Sequence, residues 1–141
     1  MQEFYSDSAE ITEEFAKKLA SRLDQGSFLA VYGDLGAGKT VFVKGLAKGL
    51  GVKEEIVSPT FTILRVYESG RLPLYHFDVY RIGDESELLE IGFDEYAAGD
   101  GVCVCEWAEL AQGMLPCKRL DITLERVSDT QRKISIKEVT A

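Results

Sequence analysis

Gly33-Asp34-Leu35-Gly36-Ala37-Gly38-Lys39-Thr40 is the stretch whose reading decides the fold. It fits G-x-x-x-x-G-K-[ST], in which the glycines let the backbone wrap so that successive N–H groups point at phosphate oxygens. The flanks supply the context that the pattern demands. Residues 27–32, SFLAVY, are an apolar run of strand length, and residues 39–50 read as a helix with Val43, Leu46, Ala47 and Leu50 toward a core. Strand, glycine loop and helix are the opening unit of a parallel α/β fold. In that setting Lys39 is expected to reach the β- and γ-phosphates of a nucleotide, and the Thr40 hydroxyl to bind Mg²⁺. The backbone of Asp34, Leu35, Gly36, Ala37 and Gly38 cradles the phosphates. Val41 packs beneath the nucleotide while its N–H serves the α-phosphate. No segment resembles N-K-x-D, which a guanine site normally wants, so ATP is favoured over GTP.

Working outward, residues 7–24 read as an amphipathic helix. Ile11, Phe15, Leu19 and Leu23 recur every four residues with Ala16 and Ala20 beside them, Asp7 with Glu10 can form a capping box, and Gly26 follows the end. Thr60–Tyr67 and Leu72–Tyr80 are β-branched and aromatic and flank Ser69-Gly70, a hairpin signal that makes the sheet mixed. Short helices are expected at Glu85–Glu90, stopping at Gly92, at Asp94–Ala98, and at Glu109–Met114 before Pro116. Val102–Cys105 reads as a buried strand ending at Glu106-Trp107. Leu120–Val127 and Lys133–Val139 alternate as strands joined by Ser128-Asp129-Thr130. The expected architecture is α/β, a single P-loop domain over residues 1–141 with a central mixed β-sheet flanked by helices.

Composition narrows the function. The 141-residue chain is one domain's worth. Sixteen Lys and Arg stand against 24 Asp and Glu, a formal net charge of -8, which argues against bulk attraction to DNA, RNA or anionic membrane. No stretch approaches the roughly 20 apolar residues of a membrane span. The acidic start, MQEFYSDSAEITEEF, does not read as a secretory signal, so a cytoplasmic location is expected. Cys103, Cys105 and Cys117 form neither a disulfide framework nor a C-x-x-C pair; Cys103 and Cys105 alternate in an apolar run as buried small hydrophobes would. One histidine, His76, cannot support a His-rich metal site.

Phosphate binding alone is not hydrolysis, which also needs a carboxylate near the metal and a way to orient water. Glu106 follows the buried run Val102–Cys105, and the carboxyl end of a central parallel strand is where such folds place ligands. It can bind Mg²⁺ directly or through water, or poise the nucleophile; a solvated strand-end glutamate is the plainer alternative. In His76-Phe77-Asp78-Val79-Tyr80-Arg81, alternation puts His76, Asp78 and Tyr80 on one face. Asp78 either lines the nucleotide cleft or sits on a hairpin surface. His76 beside an Asp is an ordinary hydrogen-bonded pair and carries no catalytic assignment. Ser58-Pro59 holds an extended entry, and Thr60 offers a hydroxyl where a switch-like segment would report the γ-phosphate; a simple turn fits equally. Trp107 reads as a lid over Glu106, a partner contact or a packed ring, and Arg81 as a phosphate ligand or a surface pair with Glu85.

GDLGAGKT (33–40), VSPTFTI (57–63), HFDVYR (76–81), E-L-x-x-x-G-F (87–93) and EWAE (106–109), in that order, resemble the TsaE family. The resemblance spans nearly the whole chain and is looser in the last 25 residues. It implies the small P-loop ATPase of bacterial tRNA threonylcarbamoyladenosine synthesis. That subunit works with a TsaD-like catalytic subunit and a TsaB-like paralogue at adenosine 37 of tRNAs reading ANN codons. ATP and Mg²⁺ are the implied cofactors, and any tRNA contact is indirect, through the partners. By likeness Lys39 contacts phosphates, Thr40 and Glu106 hold Mg²⁺, Asp78 is the functionally required aspartate, Ser58 and Thr60 belong to the switch-like segment, and Trp107 stands beside the metal carboxylate. The family commonly reads G-K-T-T, whereas Val41 follows Thr40 here. The backbone N–H survives that change and the hydroxyl does not. A small-molecule kinase would use the same loop but usually carries an Arg-rich lid, and residues 85–115 contain no Arg or Lys. A module whose partner binding is gated by nucleotide is the third reading.

Overall fold

A computed structural model describes residues 2–34, 36–57 and 63–140. Leu35, Ser58 and Thr60, and the expected strand start at Thr60, lie outside the described residues. Seven strands form one sheet in the order β1-β7-β6-β2-β5-β4-β3. They are β1 (Gln2–Ser6), β2 (Phe28–Tyr32), β3 (Leu64–Tyr67), β4 (Leu74–Asp78), β5 (Val102–Glu106), β6 (Lys118–Arg126) and β7 (Arg132–Thr140). β2 lies parallel between β5 and β6, and β4 runs parallel to β5. The two hairpins, β3–β4 and β6–β7, are antiparallel, as is β1 on β7, so the expected mixed α/β sheet is present.

The helices α1 (Ala9–Ala20) and α2 (Lys39–Leu50) cover one face of this sheet. α1 is shorter than the 7–24 expectation and starts differently. Ser8, with extended backbone, is its N-cap, and its Oγ accepts the Ile11 N–H at 3.2 Å, so the cap is not an Asp7–Glu10 box. Of the expected stripe, Leu19 and Leu23 are buried with Ala16 and Ala20, the two alanines standing against Gly45 and Gly49 of α2; Ile11 is instead 39% exposed, and Thr12 is the buried residue of the first turn. Two glycines set how closely the helices meet. A Cβ on Gly45 would lie 2.2 Å from Glu13 O, and one on Gly49 would lie 2.5 Å from Lys17 O. Only glycine admits α1's backbone at those points.

The other face is covered by short pieces, α3 (Ser86–Glu90), α4 (Phe93–Ala97) and a 3₁₀ segment, Ala108–Met114. Their core is aromatic, with Phe93 4.8 Å from Phe77 and 5.9 Å from Phe28 between ring centroids. Cys103 and Cys105 are buried there, as expected for small hydrophobes, and Cys117 is exposed.

Candidate phosphate-binding site

Alternation along β4 and β5 builds the site. On the face toward α1 and α2, β4 presents Leu74, His76 and Asp78, and β5 presents Val102, Val104 and Glu106. Each strand turns from apolar to polar as it nears its carboxyl end. The register sets Asp78 opposite Glu106, so two carboxylates stand side by side where the P-loop arrives. Asp78 is therefore not on a hairpin surface: it and Glu106 are 5% and 2% exposed. β4 ends at Asp78, whose Oδ1 accepts the Tyr80 N–H at 3.0 Å. The chain turns there, so Tyr80 does not continue the strand's face as the alternation predicted. It is exposed, and its ring lies 4.5 Å from that of Trp107.

The loop after β2 closes onto the start of α2. Gly38 is the N-cap with φ +97°, backbone that L side chains rarely adopt, and no acidic residue occupies the first helical turn. No side chain of the first turn therefore offsets the positive end of the helix. The Lys39 ammonium donates to Gly33 O and, at 2.9 Å, to Asp34 O. It also sits 3.9 Å from the centre of the Trp107 ring. Burial pushes this ammonium below its ordinary pKa, opposed by the carboxylates of Glu106, Glu109, Asp78 and Asp34. Trp107 has φ +61°, a left-handed conformation for a bulky residue, which turns the ring from the end of β5 toward Lys39.

Gly36, Gly38, Lys39, Thr40, Val41, Asp78, Tyr80, Arg81, Glu106, Trp107 and Arg132 line one open cavity of about 630 Å³. The cavity thus unites P-loop residues with Asp78, Arg81, Glu106 and Trp107, which the sequence singles out separately. Two participants were not legible beforehand. Arg132, at the start of β7, donates from Nε to Gly36 O at 3.2 Å and from Nη1 to Ser128 O at 2.8 Å. It lies 96 residues from Gly36, and no local pattern links them. The second is His76 as the support of Glu106: its Nε2 lies 2.5 Å from Glu106 Oε2. A smaller cavity of about 280 Å³ adjoins across Gly38, Val41 and Arg132, and is walled by Asp7, Ser8, Thr12 and Thr130.

Among the described residues, no cluster of three or more His, Cys, Asp or Glu side chains is arranged to hold a metal ion by itself. The cavity nevertheless offers hard oxygen donors, the Thr40 hydroxyl and the Asp78 and Glu106 carboxylates. That donor set fits Mg²⁺, which is usually bound by one or two protein oxygens together with substrate phosphates rather than by a full protein cage.

Parallel central strands, a glycine loop opening α2 and paired strand-end carboxylates define a P-loop NTPase-like α/β protein. The family model described as "Threonylcarbamoyl adenosine biosynthesis protein TsaE" matches residues 6–134, and the chain belongs to the TsaE family. It is 50% identical over 130 residues to the tRNA threonylcarbamoyladenosine biosynthesis protein TsaE of Bacillus subtilis, covering 92% of this chain and 81% of that one. The Treponema pallidum protein of the same name is 47% identical over 131 residues, covering 93% and 96%. The crystal structure of Bacillus subtilis YdiB superposes with a TM-score of 0.86 at 42% identity, over 98% of this chain and 85% of that one. Among the described residues, no helix is long and apolar enough to cross a membrane.

Proposed function

We propose that the chain, acting as one P-loop domain over residues 1–141, binds and hydrolyses ATP with Mg²⁺. In this reading it is the energy-using subunit of the complex that forms N6-threonylcarbamoyladenosine at position 37 of tRNAs reading ANN codons. The observation that carries the reading is the single cavity in which Lys39, the start of α2, and the paired Asp78 and Glu106 face one another.

The polyphosphate lies along the backbone from Asp34 to Val41, whose N–H groups and helix end meet its charge. Lys39 exchanges the Gly33 and Asp34 carbonyls for β- and γ-phosphate oxygens. Trp107 supports the ammonium from one side during this exchange. Thr40 and Glu106 hold Mg²⁺, which supplies charge neutralisation on the phosphate oxygens. Asp78, beside Glu106, orients the attacking water. Arg132 braces the loop at Gly36 and adds positive charge at the cavity wall. The adjoining cavity, at the far side of Gly38 and Val41, suits the base. Arg81 lies at the outer wall, and Ser58 and Thr60 are assigned to the γ-phosphate-reporting segment.

The partners are TsaD-like and TsaB-like subunits in the cytoplasm. At net charge -8 this chain leaves the tRNA to them and binds neither DNA nor membrane. ATP turnover by the isolated protein tests the site. Lys39→Ala is expected to lower turnover about 10²–10³-fold, the scale for removing one transition-state donor. Glu106→Ala is expected to abolish the Mg²⁺ dependence. Unchanged turnover in both variants overturns the assigned roles. Association with the two partner subunits that is indifferent to ATP overturns the placement in the complex.

A further inference from the structure

We infer that His76 is a positioning residue that holds the Glu106 carboxylate in the orientation its metal role requires. The inference rests on the ATPase reading above. His76 sits midway along β4, fully buried, between Leu74 and Asp78 on the face toward α1 and α2. Below it on that face Leu74, Val102 and Val104 are each fully buried, and on the β3 side the register sets the exposed Arg65 opposite it. An aliphatic side chain would continue this core without needing a partner. The imidazole instead places Nε2 2.5 Å from Glu106 Oε2, and its Nδ1 is buried with no hydrogen-bond partner among the described residues. Burying a polar ring with one nitrogen unmatched is unfavourable for packing alone. The ring is fitted to one task, the bond to Glu106.

That bond has a geometric consequence. A glutamate at a strand end has three rotatable side-chain bonds, and a carboxylate that lines a cavity is free to turn through them. Nε2 fixes Oε2 from below, inside the core, which leaves Oε1 as the oxygen that Glu106 offers to the cavity. Asp78, opposite Glu106 in the register, has its own Oδ1 held by the Tyr80 N–H. Both strand-end carboxylates are thus held by hydrogen bonds from the protein. This is the kind of support that outer hydrogen bonds give to metal-binding carboxylates, whose loss costs roughly 10- to 100-fold in metal affinity.

The experiment measures ATP binding to the purified protein in Mg²⁺ and in EDTA. It also measures Mn²⁺ binding to the protein–nucleotide complex by electron paramagnetic resonance, with melting curves for every variant. His76→Phe fills the ring's space without a donor. It is expected to keep metal-free ATP affinity and to weaken Mn²⁺ binding roughly 10- to 100-fold. His76→Gln places an amide N–H near the position of Nε2 and is expected to restore most of the loss, which a merely space-filling role would not do. A folded His76→Phe with wild-type Mn²⁺ affinity overturns the inference. Should His76→Phe fail to fold, His76→Asn, too short to reach Oε2, is compared with His76→Gln. Weaker Mn²⁺ binding by the Asn variant supports the inference, and equal binding overturns it. A wild-type protein that binds no ATP in either buffer brings down the ATPase reading itself, whereas normal ATP binding with Mn²⁺ affinity indifferent to position 76 brings down this inference alone.

Discussion

The two faces of the sheet are built by different means. Toward α1 and α2 the sheet is aliphatic, covered by two long helices whose approach depends on Gly45 and Gly49. On that face β4 and β5 become polar at their carboxyl ends, and the candidate phosphate cavity opens there. The opposite face is aromatic, covered by three short helical pieces, and keeps its core of Phe28, Phe77 and Phe93 apolar. Two regular helices thus stand behind the cavity, while the irregular face supplies an aromatic core and, through Trp107 at the start of its 3₁₀ segment, one wall of the cavity. The division also explains why alternation matters so much in β4 and β5. Moving either strand by one residue would send Asp78 or Glu106 into the aromatic core.

The sharpest way to break this comparison is Phe93→Ala on the aromatic face. It is expected to cost about 3–5 kcal/mol in denaturant unfolding, the range for a fully buried phenylalanine, and to leave ATP affinity of the folded protein unchanged. A large loss of affinity would show that the faces are not separable. Next comes Gly45→Ala, between the long helices. Alanine gains about 1 kcal/mol in helix propensity, but its Cβ meets the Glu13 backbone at 2.2 Å, an overpacking that costs about 1–3 kcal/mol even when relieved. The net expectation is a lowered melting temperature, and a raised one would refute the close-packed helix pair. The smallest effect is expected from Arg132→Ala. It removes charge-assisted hydrogen bonds of about 1.5–3 kcal/mol that are partly replaced by water. ATP affinity should fall about tenfold, equally in Mg²⁺ and EDTA, because the contact is to the loop and not to the metal donors. A Mg²⁺-dependent loss would move Arg132 into the metal site.

The same contrast governs what could be read in advance. β2, the glycine loop and α2 were legible because a spaced motif and a helical period reinforce each other over adjacent residues. Asp78 and Glu106 were legible because strand ends in such sheets collect ligands. β1 was not, since an edge strand such as Gln2–Ser6 is largely exposed and carries little alternation. Within the α1 stripe only Ile11 misled, because hydrophobicity alone favoured it. Thr12 occupies the buried position instead and donates its hydroxyl to Ser6 Oγ at 2.7 Å. His76 was matched to its own strand's aspartate, whereas its partner lies across the sheet on β5. Contacts between distant strands leave no mark in local spacing, and Arg132 is the plainest case.

That arginine also changes what the β6–β7 turn is. Residues 127–131 are mostly exposed and look like the safest place in the molecule to splice in a tag or lengthen the chain. Yet the guanidinium that gathers Ser128 O also holds Gly36 O, so the hairpin tip and the phosphate loop share one clasp. An insertion there would loosen the grip on the loop. The quiet corner is the wrong site for engineering, and a sensitive place from which to tune the protein.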